Sequence, residues 1–212
     1  VGDRTKAFLP MGRNKRSIAL DLKDPAAREA CLRLAERADV VVEGFRPGVA
    51  ARLGVDYESV RKRNPAVVYC AISGYGQTGP YANLPGHDLN YISVSGALGM
   101  IGWPGQPPAI PINVLADFAG GGLFAAFSIL AAVVSRQRTG TGQYIDMAMS
   151  DGTLSLACLA GGWLAFGLQD AGLSTLAAYQ GVLATYAVLG GVLVLLFLRL
   201  SARVELQQLP DV

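Results

Sequence analysis

Two side chains that can move protons stand out in this 212-residue sequence, which contains a single histidine. His87 lies in GHDLNY, at the end of a glycine-rich loop, and an imidazole gives and takes protons near neutral pH. A lone histidine can equally be structural, packed in its loop or capping a helix. Asp117 lies in ADFAGGG, and an aspartate placed before a helix is a common N-cap.

The glycines after Asp117 are the reason to consider more than a cap. Three glycines in a first helical turn weaken the helix, so they predict that something approaches this backbone closely. A helix start without bulky side chains also stabilises a developing negative charge. Taken alone, Asp151 in MSDG is predicted to be an ordinary N-cap.

Three basic residues are candidates for binding an anionic group. Arg46, in GFRPG, lies on a turn after a predicted strand, where phosphate-binding arginines occur. It can equally be a solvated surface residue, as most arginines are. Lys15 and Arg16, in GRNKRS, leave the same two alternatives open.

A glycine- and proline-rich loop, residues 74–88, precedes the histidine. Gly74, Gly76 and Gly79 form a G-x-G-x-x-G pattern directly after a predicted strand. A dinucleotide site would need a helix opening at the end of that pattern, and Pro80 prevents a long one from starting there. The pattern therefore predicts either a tight loop near a ligand or a plain surface turn.

The elements that must position these residues alternate between strand and helix patterns in the first part of the chain. Strands are predicted over 16–22, 39–43 and 65–73, with helices after Asp24 and over 56–64. This order is typical of an α/β fold with a parallel sheet and right-handed crossovers.

Longer apolar segments follow. A helix is predicted from Asp117 to Gly140, then a strand within 140–149, then a second apolar helix after Asp151. Residues 176–200 carry no charge before the arginine at 199, so they fit either a membrane-spanning helix or a corrupted, frameshifted end.

Composition narrows the function classes. With 51% hydrophobic residues, 16% charged residues and a net charge of +2, the chain can bury a sizeable core and lacks the basic balance of a nucleic-acid-binding protein. Cys31, Cys70 and Cys158 have no metal-binding or redox spacing, and we expect buried thiols in a reducing compartment, the cytoplasm. The sequence begins with valine, and we expect it to be a fragment.

Five stretches, taken together and in order, resemble the family III CoA-transferases (CaiB/BaiF type), most closely their α-methylacyl-CoA racemase branch. They are GRNKRSIALDLK, VVVEGFRPGVAARLG, CAISGYGQTGPYANLPGHDLNY, INVLADFAGGG and RQRTGTGQYIDMAMSDG. The resemblance covers about residues 2–165. It implies an α/β, Rossmann-like large domain with a small domain, chains that interlock as a homodimer, and acyl-CoA thioester substrates. It implies no cofactor beyond coenzyme A and no metal.

The resemblance also implies roles for individual residues. His87 and Asp117 match the two acid/base groups of the racemase branch, which work on opposite faces of one carbon. The backbone after Asp117 is then expected to hold the enolate oxygen. Residues that match or adjoin the CoA-binding positions are Lys15, Arg46, Tyr91, Gly74 and Gly76.

Two other functions stay open. CoA transfer between carboxylic acids would use an aspartate eight residues after a glutamine, which corresponds to Asp151 counted from Gln143. The chain could instead be an inactive or membrane-tethered acyl-CoA-binding fragment. Residues 1–170 then represent a large domain without its first strand and helix, and 171–212 an atypical apolar tail where the small domain is missing or corrupted.

Overall fold

A computed structural model describes residues 12, 14–103, 105–158, 163–178, 180, 181, 184 and 188. The described residues of 1–85 and 121–148 pack into one unit, and those of 86–120 and 149–212 pack into a second. The helices are α1 Pro25–Ala35, α2 Val49–Leu53, α3 Tyr57–Arg61, α4 Asp88–Val94, α5 Phe124–Thr139, α6 Met149–Ala157 and α7 Trp163–Asp170. A wider helix, Val114–Leu123, directly precedes α5 and is called the π-helical segment below.

The first unit is built on a parallel sheet, as the sequence predicts. Its strands β1 (Val40–Glu43), β2 (Val68–Ser73) and β3 (Gln143–Ala148) lie in that order, with β2 in the centre. Apolar β-branched runs such as those of β1 and β2 suit strands covered on both faces. The predicted α/β class is therefore confirmed.

Helices cover both faces of this sheet. On one face, α1, α2 and α3 enclose a core that includes Leu32, Val60 and Tyr69. On the other face, α5 packs against β2 and β3, and Cys70, Ala125 and Met147 form the centre of that contact. The side chains of adjacent strand residues point to opposite faces, so β2 contributes to both cores.

Two predicted helix boundaries in this unit are confirmed. Asp24 caps α1 by accepting the backbone N–H of Ala26 at 2.8 Å, and Pro25 takes the first helical position. Gly140 ends α5 in the left-handed region, with φ of 73°.

Two expectations from the sequence are wrong. Residues 16–22 form no strand, because none of the described strands pairs with them, and Ile18 is 65% exposed. The short helix α2 follows the predicted turn after β1. The cysteines are not uniformly buried, because Cys70 is buried whereas Cys158, in the second unit, is exposed.

The second unit is mostly helical. Helix α4 packs against α6 and against a short 3-10 turn, Ala97–Met100. The sequence did not predict α4, which is only two turns long and lies directly after the proline-rich loop.

One described helix, the continuous run Val114–Thr139, is long enough to span a membrane, and an 18-residue window within it has a mean hydropathy of 2.0. This is weak evidence of a span, since apolar core helices of soluble proteins meet the same criteria. The segment 176–200, where a span was considered, lies largely outside the described residues.

Candidate active site

His87 lies at the N-terminus of α4, and its position is set by its backbone. Its N–H donates to Oδ1 of Asn90 at 3.0 Å, and its carbonyl accepts the N–H of Asn90 at 2.8 Å. These reciprocal bonds satisfy groups that a helix start leaves unpaired. The residue is exposed rather than packed within its loop, and it occupies the N-cap position of α4, which is the other structural alternative.

Tyr91, one turn later on α4, holds the backbone just before His87. Its ring is buried, and its hydroxyl donates to the carbonyl of Gly86 at 2.6 Å. The phenol oxygen keeps acceptor capacity after donating its proton. The backbone is therefore held by a hydrogen bond at Gly86, before the histidine, and by the bonds to Asn90, after it.

Asp117 lies inside the π-helical segment, three residues after its first residue Val114. The expectation that Asp117 is an N-cap is wrong, because the helix starts earlier than the glycine pattern suggested. The side chain is half-buried, and its Oδ2 accepts a hydrogen bond from Nδ2 of Asn113 at 3.3 Å. Wide helical turns of this kind are frequent at functional sites.

Asp88 links the two candidate proton-transfer residues. It follows His87 directly, and its buried Oδ2 accepts the N–H groups of Ala116 at 2.7 Å and Asp117 at 2.8 Å. One carboxylate oxygen thus joins the start of α4 to the first turn of the π-helical segment. The structure thus links the backbone of Asp117 to the residue that follows His87, a connection that the sequence did not predict.

The glycines after Asp117 serve helix packing at one position at least. A Cβ placed on Gly120 would lie 2.8 Å from the backbone N of Thr153 and 2.9 Å from the carbonyl O of Met149, both on α6. A Cβ on Gly152 would likewise collide with the carbonyl of Gly120. Close approach was predicted correctly, but what approaches Gly120 is the backbone of a neighbouring helix.

This packing also corrects the expectation that the segment's glycines form its first turn. Gly120 lies six residues after Val114, inside the helix. In the first turn, the N–H groups of Ala116 and Asp117 already bond to Asp88. These two amides are therefore occupied and are not available to an enolate oxygen.

Asp151 lies on α6, next to the glycine that contacts the π-helical segment. It is the third residue of its helix rather than an N-cap, so that expectation is also wrong. The residue is exposed, and its Oδ1 accepts a hydrogen bond from the Ser150 hydroxyl at 3.2 Å. An exposed carboxylate in the first turn of a helix is chemically able to act as a nucleophile.

The candidate CoA-binding residues of the first unit lie on loops. Lys15 and Arg46 are exposed, and Gly74 and Gly76 belong to the loop after β2. Gly76 has φ of +86°, a conformation that a side chain disfavours, and it packs against Asp146 of β3.

Asp146 also holds the residue after this glycine. Both of its carboxylate oxygens accept the N–H of Gln77, at 3.2 and 3.0 Å. No described helix begins at Gly79, since the next one starts at Asp88, as the prolines of this loop predict.

A cavity of about 300 Å³ lies in the first unit, between the sheet and helices α2 and α3. Burial raises the pKa of Tyr144 to about 12. Burial also raises the pKa of Glu43, and the hydrogen bond from the Phe45 N–H offsets only part of that rise. None of the predicted site residues lines this cavity; the lining residues are Glu43, Gly48, Ala50, Ala51, Asp56, Tyr57, Glu58, Tyr69, Gln77 and Tyr144. Among the described residues, no group of three or more His, Cys, Asp and Glu side chains is placed to hold a metal ion.

Comparison with known proteins shows what this chain is similar to. The sequence model of CoA-transferase family III matches residues 2–176. The human protein "Alpha-methylacyl-CoA racemase" is 47% identical over 147 residues, which is 69% of this chain and 38% of that protein. The Acetobacter aceti protein "Acetyl-CoA:oxalate CoA-transferase" is 43% identical over 156 residues, 73% of this chain and 40% of its own length.

Related proteins of known structure share this fold. A CAIB/BAIF family protein from Brucella suis superposes with a TM-score of 0.65 at 37% identity, over 76% of this chain and 41% of that one. The chain thus spans about two fifths of the length of the relatives it matches. Those relatives carry the names of both a racemase and a CoA-transferase.

Proposed function

Because the chain belongs to CoA-transferase family III, we propose that it acts on acyl-CoA thioesters and inverts the α-carbon of a 2-methylacyl-CoA by proton transfer. One observation carries the choice of reaction. The Asp88 carboxylate ties the backbone of Asp117 directly to the residue after His87. This link supports a reaction in which two acid/base groups act on one carbon, because it couples the backbone of one proposed group to that of the other.

The proposed reaction balances without any further reagent. A base removes the α-proton, and the electron pair of the C–H bond moves into a C–C double bond while the thioester carbonyl becomes an enolate oxygen. A proton from the second group then reaches the opposite face, and the carbonyl re-forms. When Asp117 is the base, His87 is the acid, and the roles exchange in the reverse direction.

CoA binding is proposed for Lys15, Arg46, Gly74, Gly76 and Tyr91. Lys15 and Arg46 supply positive charge for its phosphates, and the loop carrying Gly74 and Gly76 offers exposed backbone. Tyr91 contributes through its phenol oxygen. The proposal includes a cytoplasmic location and, for the intact family member, a homodimer. It includes no cofactor beyond coenzyme A.

CoA transfer is the second candidate, supported by the exposure of Asp151. Its carboxylate would attack the acyl carbonyl and expel the CoA thiolate, leaving a mixed anhydride. The thiolate would then attack the aspartyl carbonyl, releasing the first acid and forming an aspartyl-CoA thioester. An acceptor carboxylate would take over CoA by the same two steps in reverse.

The experiment follows deuterium incorporation at the α-carbon of each enantiomer of a 2-methylacyl-CoA in deuterated water. Wild type, His87→Ala, Asp117→Asn and Asp151→Asn are compared, and Asp170→Asn on α7 serves as a control for loss of an exposed carboxylate. If two bases act, each variant at His87 or Asp117 should slow α-proton exchange of one enantiomer much more than of the other. Removing one general acid/base group typically costs about 10²–10⁴-fold.

The alternatives give different results. Exchange of both enantiomers at the wild-type rate in His87→Ala and in Asp117→Asn would refute the two-base assignment. Absence of exchange in wild type, together with CoA transfer between carboxylic acids that Asp151→Asn abolishes, would establish the transferase function instead. Absence of both activities would support the fragment that binds acyl-CoA without turning it over.

A further inference from the structure

A buried carboxylate without an assigned role lies between the two proposed proton-transfer groups. Asp88 is 3% exposed, and its Oδ2 accepts the N–H groups of Ala116 and Asp117 at 2.7 and 2.8 Å. Its other oxygen, Oδ1, is buried and has no hydrogen-bond partner among the described residues. This carboxylate is neither a surface charge nor a member of an ion pair found in the described chain.

From these contacts we propose that Asp88 is a positioning residue, whose carboxylate sets the backbone of Asp117 relative to that of His87. The proposal rests on the proposed function of the site. Asp88 is bonded covalently to His87 and by hydrogen bond to Asp117, which lies 29 residues further along the chain.

The hydrogen bonds favour a role beyond packing. A buried carboxyl group is costly unless it is hydrogen-bonded, and here one oxygen carries both bonds while the other carries none. Both bonds come from backbone N–H groups of one turn of the π-helical segment, so the side chain holds that turn to the start of α4 through an acceptor oxygen.

The chemistry explains what such a connection supplies. Proton transfer needs the donor or acceptor atom within hydrogen-bond distance of the carbon, on the correct face. A misplacement of about 1 Å can lower the rate about 10²-fold. Loss of the Asp88 connection should therefore lower kcat and leave KM for the acyl-CoA nearly unchanged, because its two hydrogen bonds go to Ala116 and Asp117 and to none of the proposed CoA-binding residues.

The test compares Asp88→Ala with Asp88→Asn in the α-proton exchange assay. The alanine variant removes the acceptor, whereas the asparagine variant keeps a carbonyl oxygen that can accept both N–H groups. We expect Asp88→Ala to lose about 10²-fold in kcat with KM changed less than threefold, and Asp88→Asn to recover most of that loss.

The control is Asp24→Ala. Asp24 caps α1 with a similar bond, to the N–H of Ala26 at 2.8 Å, in the first unit. Its loss should lower the melting temperature without changing the exchange rate. If Asp24→Ala slows exchange as much as Asp88→Ala, the effect is general destabilisation and the positioning role is refuted.

A second measurement does not depend on activity. Amide hydrogen exchange, followed residue by residue, should show faster exchange of the Ala116 and Asp117 amides in Asp88→Ala and near-wild-type protection in Asp88→Asn. Unchanged protection in Asp88→Ala overturns the inference whether or not wild type is active. If wild type lacks α-proton exchange but these amides lose protection, the proposed function fails and the structural connection stands. An active wild type with a full-rate Asp88→Ala variant also overturns the inference.

Discussion

Replacing Gly152 by alanine should destabilise the second unit, because α6 touches the π-helical segment through its backbone. A Cβ at Gly152 would collide with the carbonyl group of Gly120. The obstacle is main chain, which cannot rotate aside as a flexible side chain can. The two helices would have to separate, and these are the helices that carry Asp117 and Asp151.

The size of the effect follows from two opposing contributions. Overpacking a filled interior costs about 1–3 kcal/mol, and the rigid obstacle places Gly152→Ala at the upper end of that range. Alanine is about 1 kcal/mol more favourable than glycine inside a helix, which offsets part of the cost. We therefore expect a net loss of about 2 kcal/mol, equivalent to a fall of roughly 4–8 °C in melting temperature for a chain of this size.

Thermal unfolding followed by circular dichroism provides the assay, with Gly167→Ala as the matched control. Gly167 is also helical, in α7, and a Cβ there would meet nothing within 4 Å. The control should gain stability, by up to about 1 kcal/mol, because only the propensity contribution applies. A melting temperature for Gly152→Ala equal to or above that of wild type would refute the close backbone contact.

Two further predictions concern titratable groups of the first unit. Burial raises the pKa of Glu43 above its ordinary 4.5, so the folded chain holds that proton more tightly than the unfolded chain and stability falls as pH rises through the raised pKa. Glu43→Gln should therefore melt higher than wild type at pH 7, with the difference vanishing well below pH 4.5; a lower melting temperature at pH 7 would contradict this. Burial also raises the pKa of the Cys70 thiol to about 11, whereas Cys158 is exposed, so a thiol reagent should label Cys158 rapidly and Cys70 only on unfolding. A rapid labelling phase that persists in Cys158→Ser would show that the assignment is wrong.

The sheet could be predicted from the sequence because its strands carry their own signal. The apolar runs within 39–43 and 65–73 became β1 and β2, shortened by one and three residues at their N-terminal ends. The strand expected over 16–22 failed because a strand forms only with a partner, and alternation of side chains does not show whether a partner is present. Helix α4 was missed because a helix of two turns is held by tertiary contacts rather than by its own propensity.

The candidate site was predictable in its parts and not in its connections. His87, Asp117 and Asp151 were singled out by residue type and by resemblance. The contact between Asp88 and the amide of Asp117 joins residues 29 apart, and no local pattern in the sequence indicates it. The true start of the helix at Val114 was hidden for the same reason, since a carboxylate from elsewhere satisfies amides that a local cap would otherwise need to bind.

The contact between Gly120 and Gly152 bears on why relatives of this chain carry the names of two different reactions. It holds together the helix that carries Asp117 and the helix that carries Asp151, so one packing arrangement positions both the proposed proton-transfer carboxylate and the proposed nucleophile. Asp117 is half-buried and hydrogen-bonded to Asn113, whereas Asp151 is exposed. A nucleophile must reach the acyl carbonyl itself, and an acid/base group must reach only the adjacent α-hydrogen. Under the proposed function, a small shift of a bound thioester relative to this helix pair would therefore favour one reaction over the other without any change of fold.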